Sequence, residues 1–484
     1  MAGAAIISGG LRVLAQTLTW LMTLGTVRLL TPDDYGLAGL AMTCLTMPSI
    51  LIDLGMGPAI QSMAQQERRT QAEAHTLVVA IGGTVAMVVA TLSFPLADFF
   101  GRPELQLLLL VAAFGILLEA LRAIPTAVAL RSFQFALVAR TDFLRSMVGG
   151  TATIGLAWQG AGAWSIVVGA VAANLLSLLP LLRAVGIPLC WPRRSSLTPL
   201  VQYGRLMLIG RTTWQAWANA DTLTLGRMMS VTAVGHFAVA KTFAMLPQEK
   251  LLSVLMGITT SFFADRASDR EALKAYLLEL TELIALGMGL PLLGLLLVSH
   301  DLFPLLLGDH WTESAGLLPL LIPAAFLSCI GVLANQIITV RGRASIATWG
   351  STVAAIIAFP LFAAGIWLGG VAGLAAGSIV ISIVINVPGI IDVLQETSTT
   401  PREYARAFLP ACWSGAAVIV TVTGVRALLA TLPESPGPVV LTASLITSGA
   451  VAGMGTMFLC GGPGVQHLRR AIRARHLRHH QPLS

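Results

Sequence analysis

Fourteen stretches of about 20 predominantly apolar residues, joined by short polar connections, fill almost the whole of this chain. In lipid such a stretch must satisfy its backbone N–H and C=O groups internally, which leaves the helix and the closed barrel, and the ten-residue polar alternation of a barrel is absent. Composition agrees: 55% of the 484 residues are hydrophobic and only 11% charged, with a mean hydropathy of +0.80, against about 25% charged residues in soluble domains. The expected fold class is all-α, a polytopic membrane protein of about 14 transmembrane helices. The spans run over 8–30, 36–60, 76–99, 105–129, 142–160, 163–184, 204–226, 232–260, 277–299, 315–339, 345–367, 370–392, 407–431 and 437–460. Arg12 interrupts the first apolar run and no cleavage site follows it, so that run is read as a retained helix.

Lysine and arginine test the count independently, because cytoplasmic loops collect them. With the N-terminus inside, 21 of the 30 fall on inward connections, at the inward ends of spans or in the C-terminal tail, three (Arg28, Arg102 and Arg227) on outward connections or span ends, and six deeper within spans. That phase predicts cytoplasmic N- and C-termini.

The segment from Arg211 to Pro247 repeats the segment from Arg12 to Pro48 at an ungapped offset of 199, with nine identities in 37 pairs; chance gives about three. The pairs include Arg12/Arg211, Gln16/Gln215, Thr23/Thr222, Arg28/Arg227, Gly36/Gly235 and Pro48/Pro247. Six spans separate the copies, an even number, so the halves are parallel repeats about an axis along the membrane normal. The expected organisation is an N-terminal lobe over 1–200 (helices 1–6), a C-terminal lobe over 201–396 (helices 7–12), two additional pseudo-symmetry-breaking helices over 397–462, and a basic cytoplasmic tail over 463–484.

Charges inside spans are expensive, about 2.5–3.5 kcal/mol each on insertion scales, and so mark partners or cavities. Arg12 with Gln16, and Arg211 with Gln215, share a helix face at i,i+4. If both stripes face the lobe interface, they form a cationic site suited to phosphate or diphosphate; snorkelling to the headgroups is the bland alternative. Lys241, about ten residues into its span, is the third candidate cavity cation. Asp221 is expected as a counter-charge to Lys241 or Arg211, the alternative being acceptance of a coupling ion. Arg28 and Arg227 suit either an outward gate or helix C-terminal caps. Glu119 and Arg122, at i,i+3, are expected to neutralise one another, and Asn335, Gln336 and Asn386 to bond between helices or line a cavity.

The rest excludes more than it proposes. Five of the arginines lie in the last 16 residues, so the basic balance points to anionic headgroups at the cytoplasmic surface and to no nucleic acid. The five cysteines have no CxxC spacing and read as buried small side chains. His300, Asp301, Asp309, His310 and Glu313 lack a metal spacing, and Trp311 among them suits an interfacial position. With no Walker A, GxSxG or HExxH motif, neither catalytic residues, nor a metal, nor a cofactor is expected, and the chain is not read as an enzyme. A membrane glycosyltransferase or polysaccharide polymerase would show a long external loop or an acidic metal motif, and a scaffold would not need matched cations in both repeats.

The run Arg28-Leu29-Leu30-Thr31-Pro32-Asp33-Asp34-Tyr35-Gly36, followed by Asp53-Leu54-Gly55-Met56-Gly57 and Gln61, resembles the opening of bacterial polysaccharide flippases (O-antigen and exopolysaccharide, Wzx-like) of the multidrug/oligosaccharidyl-lipid/polysaccharide (MOP) exporter superfamily. So do Leu225-Gly226-Arg227, Gly235, Phe237, Ala240 and Pro247, with Gly308, Trp311, Ala315 and Leu318 later. The resemblance implies flippase transport of a polyprenyl-diphosphate-linked oligosaccharide from the cytoplasmic to the periplasmic leaflet of the bacterial inner membrane, for exopolysaccharide or lipopolysaccharide biosynthesis, by alternating access. It implies the lipid bilayer and polysaccharide polymerase or export machinery as partners, and a cationic cavity that Arg12, Arg211 and Lys241 would supply. An ion-coupled small-molecule or drug exporter of the same superfamily is the alternative; a positive lumen disfavours organic cations.

Overall fold

A computed structural model describes residues 18–53, 55–62, 67–191, 194–266, 270–340, 343, 345–432, 437–462 and 464–465. Among these all regular structure is helical and there is no strand. The helices are α1 (18–29), α2 (Pro32–Asp53), α3 (Met56–Ser62), α4 (Arg68–Phe100), α5 (Glu104–Arg131), α6 (Phe135–Trp158), α7 (Trp164–Val185) and α8 (Arg194–Met228). They continue with α9 (Val231–Arg266), α10 (Arg270–Leu307), a 3-10 turn (Asp309–Trp311), α11 (Thr312–Val340), α12 (Ser345–Glu396), α13 (Pro401–Arg406), α14 (Leu409–Ala430) and α15 (Pro438–Cys460).

Each of the fourteen expected spans has its helix, the first described only over 18–29. Nine helices among the described residues are long and apolar enough to cross a membrane by length and composition. The second span divides at Gly55, whose φ of 73° ends α2 and lets α3 begin. The eleventh and twelfth form one element, α12, broken where Gly369 and Gly370 leave helical geometry. Gly370 has φ 59°, a conformation glycine reaches without a Cβ penalty. Proline stands inside α2 (Pro48) and, one repeat later, inside α9 (Pro247), where it removes a backbone donor and bends the helix.

The chain packs as two compact units, one of residues 1–238 with 355–371 and one of residues 239–354 with 372–484. In the first unit α2 packs on α4, α5, α7 and α8, and α4, α6 and α7 pack on α5. Its apolar core includes Leu105, Leu108, Leu109, Ile116 and Ile124. Small residues let these helices close up: a Cβ on Gly82 would lie 2.2 Å from the Ala120 Cβ.

The starts of α2 and α9 meet in a self-complementary contact within this unit. A Cβ on Gly36 would lie 2.1 Å from the Val231 carbonyl oxygen, and one on Gly235 would lie 1.9 Å from the Pro32 carbonyl oxygen. Gly36 matches Gly235, and Pro32 matches Val231, at the 199-residue offset. Residue i touching j′ while i′ touches j is the signature of a two-fold axis through the contact.

In the second unit α10 packs on α11, α14 and α15, over a core that includes Leu273, Leu277, Met288, Leu333 and Ile337. Trp311 is fully buried there, so it is a packing residue and not the interfacial anchor expected from its polar neighbours. Cys412 and Cys460 are exposed, where burial was expected; Cys329 is buried. Both exposed thiols lie on apolar spanning helices, whose outer surface lipid can cover. The second unit also holds the Lys274–Glu403 ion pair (2.8 Å), with Glu403 closing a capping box on Thr400.

Candidate functional site

Arg211 occupies the centre of the 35-residue α8, and with Gln215, one turn on, it lines a cavity of about 510 Å³ inside the first unit. The cavity lies among α2, α5, α6, α7 and α8. Ser49 and Thr46 come from α2, Glu119 from α5, Arg145 from α6 and Asn174 from α7, and Trp214 adds its ring from α8. The Arg211/Gln215 stripe therefore faces a cavity, and a second cation, Arg145, faces it too.

Arg145 escaped the sequence reading because the basic-residue distribution takes it with the inward connection, although it stands three residues into the span over 142–160. α6 begins at Phe135, seven residues before the expected span, which carries Arg145 about 15 Å into the helix at 1.5 Å per residue. It also lines a neighbouring cavity of about 650 Å³, together with Asp142 and the α1 residues Thr19, Thr23 and Thr26. Thr23 belongs to the repeat stripe, so what is described of the first copy also faces a cavity. Arg12 and Gln16 lie outside the described residues.

The charges around Arg145 form a network. Arg122, buried on α5, donates through Nη2 to Asp142 Oδ1 on α6. The expected intrahelical Glu119–Arg122 pair is thus replaced by an interhelical one, because Asp142 meets the guanidinium directly and frees Glu119 for the cavity wall. Arg145 lies within electrostatic reach of Arg122, Glu119 and Asp142. The outcome is a cavity whose wall carries two guanidiniums and one carboxylate. Guanidinium stays charged and grips oxyanions bidentately, so the arrangement can hold a phosphate or diphosphate.

The remaining candidates lie elsewhere. Asp221 is buried, and its Oδ1 accepts from the Thr222 N–H (2.6 Å) and hydroxyl (3.1 Å). Lys241 is half-buried on α9, in the second unit, and does not line the cavity of Arg211. Arg211, Asp221 and Lys241 each make further interactions. Arg28 is exposed at the end of α1. Arg227 ends α8 and lies over the Phe99 ring at 5.1 Å, a cation–π contact that adds to its favourable place at a helix C-terminus. Asn386 packs on α11, where a Cβ on Gly331 would lie 1.8 Å from its Oδ1, and donates to the Ser382 carbonyl (2.8 Å). Among the described residues no three His, Cys, Asp or Glu side chains gather as a metal site.

Residues 26–316 match the family model described as polysaccharide biosynthesis protein. The chain belongs to that family. The lipopolysaccharide biosynthesis protein WzxC of Escherichia coli (strain K12) is 20% identical over 364 residues, 74% of this chain and 73% of that protein. The succinoglycan biosynthesis transport protein ExoT of Rhizobium meliloti (strain 1021) is 23% identical over 327 residues, 64% of each. The chain thus spans about two thirds of the length of these relatives. Its fold is that of the lipid II flippase MurJ in an inward closed conformation, with a TM-score of 0.75 at 11% identity over 94% of this chain and 98% of that one. A multidrug resistance MATE family transporter of the MOP superfamily, inward-facing, shares it with a TM-score of 0.61 at 15% identity, covering 80% of this chain and 96% of that one.

Proposed function

We propose that this family member translocates a polyprenyl-diphosphate-linked oligosaccharide across the bacterial inner membrane for exopolysaccharide or lipopolysaccharide biosynthesis. The observation that carries the reading is the pair Arg145 and Arg211 on one cavity at the centre of apolar helices. Charges so placed are costly and are kept for cargo or ion paths. The names of the relatives, a lipopolysaccharide biosynthesis protein and a succinoglycan transport protein, and the MurJ fold support the same cargo class.

In this reading the lobes over 1–200 and 201–396 alternate access about the pseudo-two-fold axis, with the helices of 397–462 and the tail of 463–484 added. Both termini are cytoplasmic, as the 21-to-3 distribution of basic residues favours. Arg12 and Gln16 give the first repeat the equivalent of Arg211 and Gln215. Lys241 adds positive charge to the cargo path, Asp221 is a counter-charge or ion-coupling group, and Arg28 and Arg227 guard the outward end. Polysaccharide polymerase and export machinery take the cargo onward. A drug exporter is less well supported, because two guanidiniums repel organic cations.

Glycan export by a deletion strain carrying variants tests the proposal. Arg145→Ala, Arg211→Ala and Lys241→Ala should each abolish export while the protein remains inserted and abundant; normal export by all three would overturn it. Cysteines near Asp309 should label from the periplasm, and cysteines near Arg193 only after permeabilisation; the reverse would overturn the orientation.

A further inference from the structure

Where α5 ends and α6 begins, an aromatic residue holds a strained backbone. The Gln134 N–H donates to the Ala129 carbonyl (2.9 Å) and the Phe133 N–H to the Leu130 carbonyl (3.1 Å). These are the two hydrogen bonds of a Schellman cap, whose left-handed position glycine usually fills. Here Phe133 fills it, with a φ of 57°, a conformation that crowds the Cβ of a bulky residue. Its ring gains little burial in return: it is 81% exposed, and Phe135, itself exposed, meets it edge to face with centroids 5.9 Å apart. Strain that burial does not offset points to a role for the exposed ring.

Both rings border a cavity of about 850 Å³ inside the first unit, between the end of α3, the start of α4 and the α5–α6 turn. The cavity lies at the ends of the spanning helices α4 and α5, the level of lipid headgroups, where aromatic rings are favoured. Its wall carries one charge of each sign. Arg131 donates through Nη1 to the Gln61 carbonyl (2.8 Å), which holds the guanidinium in place and leaves its other N–H groups without a partner among the described residues. Glu67, exposed just before α4, caps no N–H with its side chain, and among the described residues no ion pair joins it to Arg131. Arg68 and Arg69 follow it in the chain but do not line the cavity, and Arg69 pairs with Glu73 (3.2 Å). Opposite charges that share a cavity without neutralising each other are matched by a zwitterion: an anionic ligand would meet Glu67, and a cationic one Arg131.

We propose that this cavity binds phosphatidylethanolamine from the surrounding bilayer, with the phosphate on Arg131, the ammonium on Glu67 and the acyl-glycerol region against Phe133 and Phe135. A guanidinium grips phosphate oxygens bidentately, and an ammonium donates N–H bonds to a carboxylate. A choline headgroup has no N–H to donate, a glycerol headgroup has no positive charge for Glu67, and free phosphate has no apolar part for the rings. The site is separate from the Arg145/Arg211 cavity, shares no lining residue with it and does not depend on the cargo.

Native mass spectrometry of the full-length protein tests it, after release from nanodiscs of equimolar dioleoyl phosphatidylethanolamine, phosphatidylcholine and phosphatidylglycerol. The first retained lipid should be phosphatidylethanolamine, about tenfold over phosphatidylcholine. Glu67→Gln should reduce that preference to about twofold or less, and Arg131→Gln should lower phosphatidylethanolamine retention about tenfold, with Arg131→Lys intermediate because a point charge still meets the phosphate. Arg68→Gln, outside the cavity, should change neither. Phe133→Gly separates binding from folding: it releases the strained backbone, so the unfolding temperature in lipid-free detergent should rise while phosphatidylethanolamine retention falls. A parent with no preference for phosphatidylethanolamine, a parent that prefers phosphatidylglycerol, a preference that survives both Glu67→Gln and Arg131→Gln, or full retention by Phe133→Gly overturns the proposal. Each of these outcomes leaves the diphosphate reading of Arg145 and Arg211 untouched.

Discussion

Asp33 accepts a hydrogen bond from the Thr232 hydroxyl, and these two residues are equivalent positions of the 199-residue repeat. Beside them Gly36 and Gly235 press against each other's helix starts. A pair of equivalent residues in direct contact can occur only where the relating axis passes, so the repeat is a physical symmetry at this point.

Valine at Gly36 or at Gly235 should therefore be equally damaging. Each side chain would enter the opposing backbone, which cannot turn aside as a side chain can, and overpacking of this kind costs about 1–3 kcal/mol or more. Thermal unfolding in detergent and glycan export should fall together for both variants. Gly39→Val is the control, since nothing lies within 4 Å of its Cβ position. Tolerance at one glycine and failure at the other would count against the two-fold contact.

Arg122 and Asp142 should respond asymmetrically. The Arg122 side chain is 9% exposed and that of Asp142 is 55% exposed. Asp142→Ala strands a buried guanidinium, which costs about 3–5 kcal/mol when the partner of a buried pair is lost. Arg122→Met leaves only a half-exposed carboxylate and should cost about 1 kcal/mol or less. Unfolding midpoints of the two variants in the same detergent decide the order.

Gly331→Ala should destabilise by about 1–3 kcal/mol, because the Asn386 side chain occupies the space of the new methyl group. The Asn386 Cβ alone would lie 2.5 Å from that methyl group, so it is Asn386→Gly that clears the space, and the double variant should be more stable than the sum of the single effects. A double-mutant cycle of unfolding free energies reads the coupling, and strict additivity would show that the two sites do not meet.

Arg211→Lys should not restore export. It keeps the charge but loses the planar fork that holds two oxygens at once. If the lysine variant exports as well as the parent, a point charge suffices there and bidentate recognition is wrong.

Much of this arrangement was legible from residue order. Apolar length and basic-residue phase marked the spans, and the repeat marked both the axis and the cavity-facing stripe of Arg211 and Gln215. The misses have a common cause. Arg145, Asn174 and Trp214 come from three helices, and no local period links them, since only packing brings α6, α7 and α8 to one cavity. Likewise i,i+3 spacing made Glu119 a plausible partner for Arg122, but Asp142 approaches from another helix, and the interhelical contact wins. Trp311 looked interfacial because its sequence neighbours are polar, but the fold buries it completely.

After α15 the chain turns back on α10, where the buried Glu282 carboxylate accepts from the N–H groups of Gly462 (2.7 Å) and Gly464 (3.1 Å). Charge-assisted bonds to a buried carboxylate are among the stronger ones a backbone makes. Release would strand that charge without a partner. The end of the terminal helix pair is thus riveted to α10, and any stroke that displaces α10 during a transport cycle carries α14 and α15 as passengers, so the last two helices add mass to the moving part and not a hinge of their own.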